Sequence, residues 1–468
     1  MARLCAQGAV SPTSGETFVT SPFAPARSFG LKLLLVGGLA FLLWLPCLMI
    51  YALVFERSAR AEEVRREIHD SAGGAQTISG PIILVPALID IGVDRETGNP
   101  IRQRTHVAFT PQTLAVEGAV ATESRRRGIF DATLFEADLR FSGAFGPLNA
   151  INPPKGQITY FWPQARLGLA LGGSAALKGV RGKPALTLEG AAAASAFDPG
   201  LVAQGAEPVD AGGLSLALPI ADPSQGVRFD LRLTIAGGGA LKFAPAGEET
   251  QVALKSDWPH PSFQGARLPD ERTISEAGFN AAWTVPYLAR AIPRAFFADQ
   301  GIAGRFEAEA FGVDFVATKS PYTSVNRALK YALMFLGLVF LTFFLIEATM
   351  GGRAHPAQYI LLGLAQVVFY LLVLAFAEHI GFDTAFIGAA AATVALCGLY
   401  AATVFRSFLK GVLALIAFAG TYGLIYLLMK SEDYALLIGS TAAFGAVALT
   451  MAVTRNLDWY GARLSRQP

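Results

Sequence analysis

The chain has 468 residues, of which 53% are hydrophobic and 16% charged, with a formal net charge of +2. Soluble proteins carry about 25% charged residues and divide into domains rather than enlarge one apolar core. The apolar surplus therefore belongs in lipid, and so small a net charge gives no reason to expect a nucleic-acid partner.

Residues 1–28 mix Ser, Thr, Pro and Gly without periodicity, which predicts a disordered tail. Leu31–Phe55 is the first long apolar run and exceeds a signal-peptide core. Ala59–Arg60–Ala61 spells a small-x-small cleavage site but lies beyond Glu56 and Arg57, and Pro46 precedes Cys47 where a lipidation box needs a small residue. An uncleaved anchor is expected. Arg57–His69 is rich in helix formers and extends that helix outward until Ala72–Gly74 breaks it.

From Gln76 to about Phe315 the pattern turns to short alternating or β-branched runs punctuated by Gly, Pro and Asp. Ile82–Ile91, His106–Phe109, Ile129–Phe141, Ile158–Phe161, Arg228–Ile235 and Phe306–Val316 read as strands. Their spacing predicts an antiparallel all-β sandwich or barrel-like domain. Val227–Ile235 is the clearest, with Phe229, Leu231, Leu233 and Ile235 on one face. Ala170–Gly213 fits edge strands and loops, or a smaller subdomain.

Five apolar runs close the chain: Ala328–Ile346, Tyr359–Ala377, Ala385–Val404, Val412–Met429 and Ala435–Val453. Each approaches the roughly 20 residues that cross a bilayer as helix. The fold class expected is an integral membrane α-helical protein. Six transmembrane helices stand in a 1+5 arrangement, with a large β-rich extracytoplasmic domain between the first and second. Segment boundaries fall at 1–28 (tail), 29–55 (helix one), 56–325 (β-rich domain), 326–455 (five helices) and 456–468 (tail).

Arginine and lysine placement predicts the orientation. Arg3, Arg27 and Lys32 flank the start of the first span, Arg455, Arg463 and Arg466 follow the last, and Arg353, Arg406 and Lys410 occupy the loops on the same side. The positive-inside rule then puts both termini in the cytoplasm and the large domain outside, in the periplasm. Arg57, Arg60, Arg65 and Arg66 head a long translocated segment, where such charges carry little weight.

Cys5 precedes the first apolar run, and Cys47 and Cys397 lie inside runs, so the β-rich stretch folds without disulfides and no zinc site of ordinary spacing is available. No serine-hydrolase elbow, HExxH or GxGD motif occurs. No cofactor, metal or catalytic residue is therefore expected. Two groups of side chains remain as site candidates. Glu378, His379 and Asp383 share the outer side with Glu432 and Asp433, a polar cluster able to bind a cation, carry protons or dock the domain. The plainer alternative is helix ends returning to water. Trp258, His260 and Phe263, within Ser256–Phe263, offer an aromatic surface for a peptide, sugar chain or partner loop; alternatively the tryptophan plugs the β core. Asp257 and His260 could serve as an acid–base pair. Arg125–Arg126–Arg127 would suit anionic head groups or a solvated hairpin end. His355 and His379 lie about 36 Å apart along one helix and cannot share a metal. Gln366 is the amide placed deep in a span, where bonding to a neighbouring helix is the usual role.

Several runs together resemble the CreD family of Gram-negative inner-membrane proteins. Its carriers here are Gln76–Pro81, Arg127–Phe130, Phe141–Gly143, Ser256–Phe263, Gly312–Phe315 and Lys330–Leu333. The most specific are His355–Tyr359, Glu378–Phe382, Ser431–Tyr434 and Leu457–Trp459, each at an expected helix boundary. The resemblance implies an inner-membrane protein with a large periplasmic domain, associated with envelope integrity, stress response and an envelope-linked two-component regulon. It assigns no catalytic residue, substrate or cofactor, and no oligomeric state. The chain departs from the family's pattern in its long polar N-terminal tail and in Ala375 and Ala377, where relatives tend to carry serine.

The expected function is thus non-enzymatic support of the cell envelope. The partners would be membrane lipids and a periplasmic protein or envelope component. A transporter or cation/proton-coupled protein using the outer acidic cluster is the alternative, and a periplasmic hydrolase using Asp257 and His260 a more distant one.

Overall fold

A computed structural model describes residues 29–93, 100–153, 156–172, 175–193, 196–201, 212–298, 302–315, 321–350, 354–431 and 434–455. Both expected tails and the pair Glu432 and Asp433 lie outside the described residues. The chain forms two compact units, one of residues 1–54 with 324–468 and the other of residues 55–323.

Helix α1 (Phe29–Ala72) belongs to both units. It runs through Pro46 without ending, as apolar spans allow when neighbouring groups satisfy the freed carbonyl. It stops where Gly73 and Gly74 take φ of 122° and 68°, values costly for a side chain, and the Gly74 amide caps the His69 carbonyl at 2.7 Å. The short α2 (Ile302–Glu307) follows the strands. The last third of the chain is α3 (Pro321–Lys330), α4 (Ala332–Met350), α5 (Pro356–Ile380), α6 (Phe382–Val404), α7 (Phe408–Lys430) and α8 (Ala435–Thr454). Among the described residues, six helices are long and apolar enough to span a membrane: α1 and α4 to α8. Leu399, Leu436 and Phe444 point outward from them, each more than half exposed. A surface of that kind is stable only against lipid or another apolar partner.

The second unit is built from strands in two sheets. In chain order they begin β1 (Gln76–Val93), β2 (Pro100–Phe109), β3 (Thr113–Arg127), β4 (Phe130–Phe145), β5 (Gln157–Tyr160), β6 (Arg166–Gly172), β7 (Val180–Leu188), β8 (Ala191–Ala192) and β9 (Asp198–Pro199). They continue with β10 (Gly213–Ala217), β11 (Val227–Gly238), β12 (Ala240–Phe243), β13 (Glu249–Ser256), β14 (Pro261–Gly265), β15 (Glu271–Ser275), β16 (Gly278–Val285), β17 (Ala295–Phe297) and β18 (Phe311–Phe315). The first sheet runs β14-β18-β12-β1-β6-β10-β9, with β2 and β5 also on β1 and β17 on β2. The second runs β15-β16-β13-β3-β4-β11-β7-β8.

One core lies between the sheets. Ile83, Val85, Val107, Phe311 and Val313 enter it from the first, and Val116, Phe141, Leu231, Val252 and Trp283 from the second. Rings meet across the gap, Phe135 to Phe315 at 5.1 Å and Trp283 to Phe311 at 5.6 Å between centroids. The predicted inward face of β11 is confirmed, with Phe229, Leu231, Leu233 and Ile235 all buried. At the other end of the helix, Val64 and Ile68 of α1 pack on Ala132 and Leu134 of β4.

Three sequence expectations need correction. The pairing is not wholly antiparallel: β1–β12 and β3–β13 run parallel. Long connections permit this, since each pair is separated by many intervening strands. Phe306 lies in α2 rather than a strand, because Ala303, Arg305 and Glu307 favour helix; only Phe311–Phe315 pairs as strand. The span predicted from Ala328 begins at Ala332 instead, with amphipathic α3 closing just before it.

Candidate functional site

Glu378 and His379 sit in the last turn of α5, and Gly381 at φ 80° turns the chain into α6, whose first turn holds Asp383. Asp383 accepts from the Lys430 ammonium at 2.8 Å and from the Tyr426 hydroxyl at 3.2 Å. The sequence reading missed this partner on α7. Asp383 opens one helix and Lys430 closes its antiparallel neighbour, so the two lie at one level, which is the signal that finds them. Half-buried Glu378 also has a partner, and His379 faces outward. Among the described residues, then, the anticipated acidic cluster contains an Asp383 already paired with a cation.

Two further polar knots lie inside the helical unit. Buried Glu347 pairs with Lys32, accepts the Ala354 amide at 2.9 Å and takes the Tyr359 hydroxyl at 2.8 Å. Lys32 also donates to the Ala354 carbonyl at 2.8 Å. His355 caps α5 beside this knot in a reciprocal box with Gln358. Deeper in the bundle, Gln366 accepts from the Tyr422 hydroxyl at 2.6 Å and faces the Cys397 sulfur at 3.8 Å. Gln366 thus ties α5 to α7 and α6, the bonding to neighbouring helices expected of a buried amide.

In the β unit, Phe263 packs edge-on against Phe279 and Trp283, so it extends the core. Trp258 is half-buried and its indole N–H donates to the His260 carbonyl at 3.0 Å, while the His260 ring stays exposed. Asp257 does not face His260 as an acid–base partner; it accepts from the amide and hydroxyl of Thr122 at 3.0 and 2.9 Å. The three arginines at the β3–β4 hairpin are each matched: Arg125 with Glu123, Arg126 with Asp131 and Arg127 with Glu67. Such exposed pairs contribute little to stability and hold the hairpin end in water.

A cleft of about 560 Å³ opens beside β1, β2 and β6. Leu84, Pro86, Arg104, His106, Gln164 and Arg166 are among its lining residues. No sequence motif marks it. Burial holds the His106 imidazole below its ordinary value, because the charged form loses water. The unfolded chain therefore takes up this proton first as pH falls below about 6.5. The His106 contribution to stability is complete above that pH and is lost on acidification. Denaturant midpoints measured from pH 7 to pH 5 should fall less steeply in His106→Gln than in the unaltered protein. Equal slopes would refute the assignment. Among the described residues, no group of three or more His, Cys, Asp or Glu side chains is arranged to hold a metal ion.

Six helices long and apolar enough to span a membrane, with a double-sheet domain inserted in sequence between the first and second, define a multi-pass membrane protein. The profile of the family described as "Inner membrane protein CreD" matches residues 28–460. The curated "Inner membrane protein CreD" of Escherichia coli (strain K12) is 32% identical over 440 residues, covering 93% of this chain and 94% of that protein. The chain belongs to the CreD family of inner membrane proteins. A solved structure of a candidate nutrient-binding protein from Legionella pneumophila aligns over 60% of this chain and 86% of its own, at 9% identity and a TM-score of 0.24.

Proposed function

We propose that this chain supports cell-envelope integrity by holding a β-rich domain in the periplasm, where it binds a protein or envelope component without catalysing a reaction. The observation that carries the reading is the insertion of the complete double-sheet unit between α1 and the later helices. Two flanking anchors tether such a domain to the membrane at both of its ends. The alternation of Arg and Lys among the short loops supports cytoplasmic termini and an outer domain, by the positive-inside rule. Trp258 and His260 supply one candidate contact surface, with Phe263 supporting it from the core. The Asp383–Lys430 pair favours an anchoring role for the helices over cation-coupled transport, because the carboxylate is already compensated.

The test uses a Cys5→Ser background, since Cys47 and Cys397 are buried. A cysteine replacing exposed Glu276 should react with a membrane-impermeant maleimide in intact spheroplasts. A cysteine restored at position 5 should react only after permeabilisation. The reverse pattern would overturn the orientation. Deleting the gene should sensitise cells to detergents and β-lactams; unchanged sensitivity would remove the integrity role. Retained function in a Glu378→Gln, Asp433→Asn double variant would exclude the transport alternative.

A further inference from the structure

We propose that the cleft beside β1, β2 and β6 is a binding site for a small organic anion, a molecule bearing one carboxylate or phosphate on an apolar body. The strand register builds it. Arg104 lies opposite Leu88, His106 opposite Pro86, and Arg166 opposite Leu84. Directly paired residues share a sheet face, so these six side chains form one surface. The alternate residues Ile83, Val85 and Val107 face the core between the sheets by the same alternation, and Leu84 and Leu201 at the cleft floor are continuous with that buried cluster. The cleft therefore lies on the outer face of the first sheet.

Its wall is the segment from Phe161 to Ala165, fastened at three points. The Phe161 amide donates to the Pro86 carbonyl at 2.9 Å, and the Leu218 and Ile220 amides donate to the Ala165 and Trp162 carbonyls at 2.9 and 3.1 Å. Trp162 is stacked on Tyr160, with centroids 5.0 Å apart, which stiffens the segment from behind. Leu84 and Leu201 are fully buried beneath and beside the opening, so part of the lining is apolar. A volume of about 560 Å³ falls within the range of small-molecule sites, about 300–1,000 Å³.

The charge of the lining selects the ligand. Arg104 and Arg166 are its ionised residues, and no carboxylate is among the lining residues. Arg104 is exposed and makes no ion pair among the described residues. Arg166 is held in place by Ser215 Oγ at 3.1 Å on Nε and by Asp198 at 2.6 Å on Nη2. Those bonds leave Nη1 for an incoming oxygen, and exposed Asp198 fixes the fork rather than filling the cleft. A second hollow, of about 540 Å³ on the outer face of the other sheet, makes the contrast. It mixes Glu117, Asp138 and Glu271 with Arg140, Lys255 and Arg272, and so has no preference for one sign.

The location of this site in the periplasm rests on the reading above, whereas its chemistry does not. The test therefore has two arms. In the first, full-length protein in nanodiscs of zwitterionic lipid is photolabelled with 4-(trifluoromethyldiazirinyl)benzoate and the adducts are mapped by mass spectrometry. Adducts are expected in the peptides holding Arg104–His106 and Phe161–Arg166. Excess benzoate or phenyl phosphate should compete, benzamide should not, and the stronger of the two acids identifies the preferred head group. Arg104→Glu, a change at an exposed position, should lower the yield about tenfold, as for one lost charge-assisted hydrogen bond, with an unchanged melting curve. Adducts scattered over the membrane helices, equal competition by benzamide, or wild-type labelling of Arg104→Glu would each overturn the site. In the second arm, an impermeant aryl phosphate version of the probe is applied to spheroplasts. Labelling of the cleft there supports the periplasmic location. Labelling confined to nanodiscs leaves the site standing and overturns its location.

Discussion

Glu347→Leu should destabilise the helical unit by about 3–5 kcal/mol, since it removes the carboxylate paired with part-buried Lys32 and leaves two further donors without their acceptor. Glu347 is 4% exposed and serves Lys32, the Ala354 amide and the Tyr359 hydroxyl together. One truncation therefore undoes contacts from α1, α5 and the turn before α5 at once. The Lys32→Met, Glu347→Leu double variant should recover much of the loss, because the cost lies in the orphaned charge rather than in the absent attraction. Folded yield in membranes and detergent-solubilised melting curves check both. A single variant that melts with the unaltered protein would show that the pair contributes nothing.

A comparable loss is expected in the β unit from Gln76→Leu. Gln76 is fully buried, and its amide nitrogen faces the carbonyls of Gly73 at 2.7 Å, Ala176 at 3.2 Å and Ala236 at 3.3 Å. It joins the end of α1 to β11 and to the short turn before β7. Leucine has similar bulk but no donor, so buried carbonyls lose their partners at about 1–3 kcal/mol each. A total near 2–4 kcal/mol follows if relaxation restores part of the loss. Gly179→Ala attacks the same junction sterically: an added Cβ would stand 2.1 Å from the Ala236 carbonyl oxygen and 2.7 Å from the Gln76 amide nitrogen. Urea unfolding followed by near-ultraviolet circular dichroism should show earlier midpoints for both. An unshifted midpoint for Gln76→Leu would end the argument for this junction.

The membrane helices were legible because lipid demands length and apolarity, and both survive in a linear sequence. β11 was legible for a related reason, since a half-buried strand alternates with period two. Sheet order was not. β1 pairs with residues in four different strands, and no local pattern in Gln76–Val93 encodes partners so far along the chain. Nor was the cleft visible, because Arg104, His106 and Arg166 come together through register alone. Lys32 with Glu347, and Asp383 with Lys430, were open to prediction: each joins opposite charges at matching ends of antiparallel spans. The Trp258 loop shows the opposite limit. Its residue types suggested chemistry, whereas Asp257 and Phe263 are occupied by Thr122 and the core.

The position of β1 imposes an order on biosynthesis. It is the first strand to emerge from the ribosome, yet its edge opposite β6 receives β12 only at Leu241–Phe243, and β18 joins β12 only at Phe311–Phe315. Until those residues have been made, the Gln76–Ile78 stretch of β1 lacks its partner on that edge, although β2 already covers Ile83–Val93. Contacts of such sequence separation form slowly, and open edges invite pairing with other chains. The growing polypeptide thus passes through an interval in which a holding chaperone would have most to protect, and that interval closes with the last strand, just before the second anchor is synthesised.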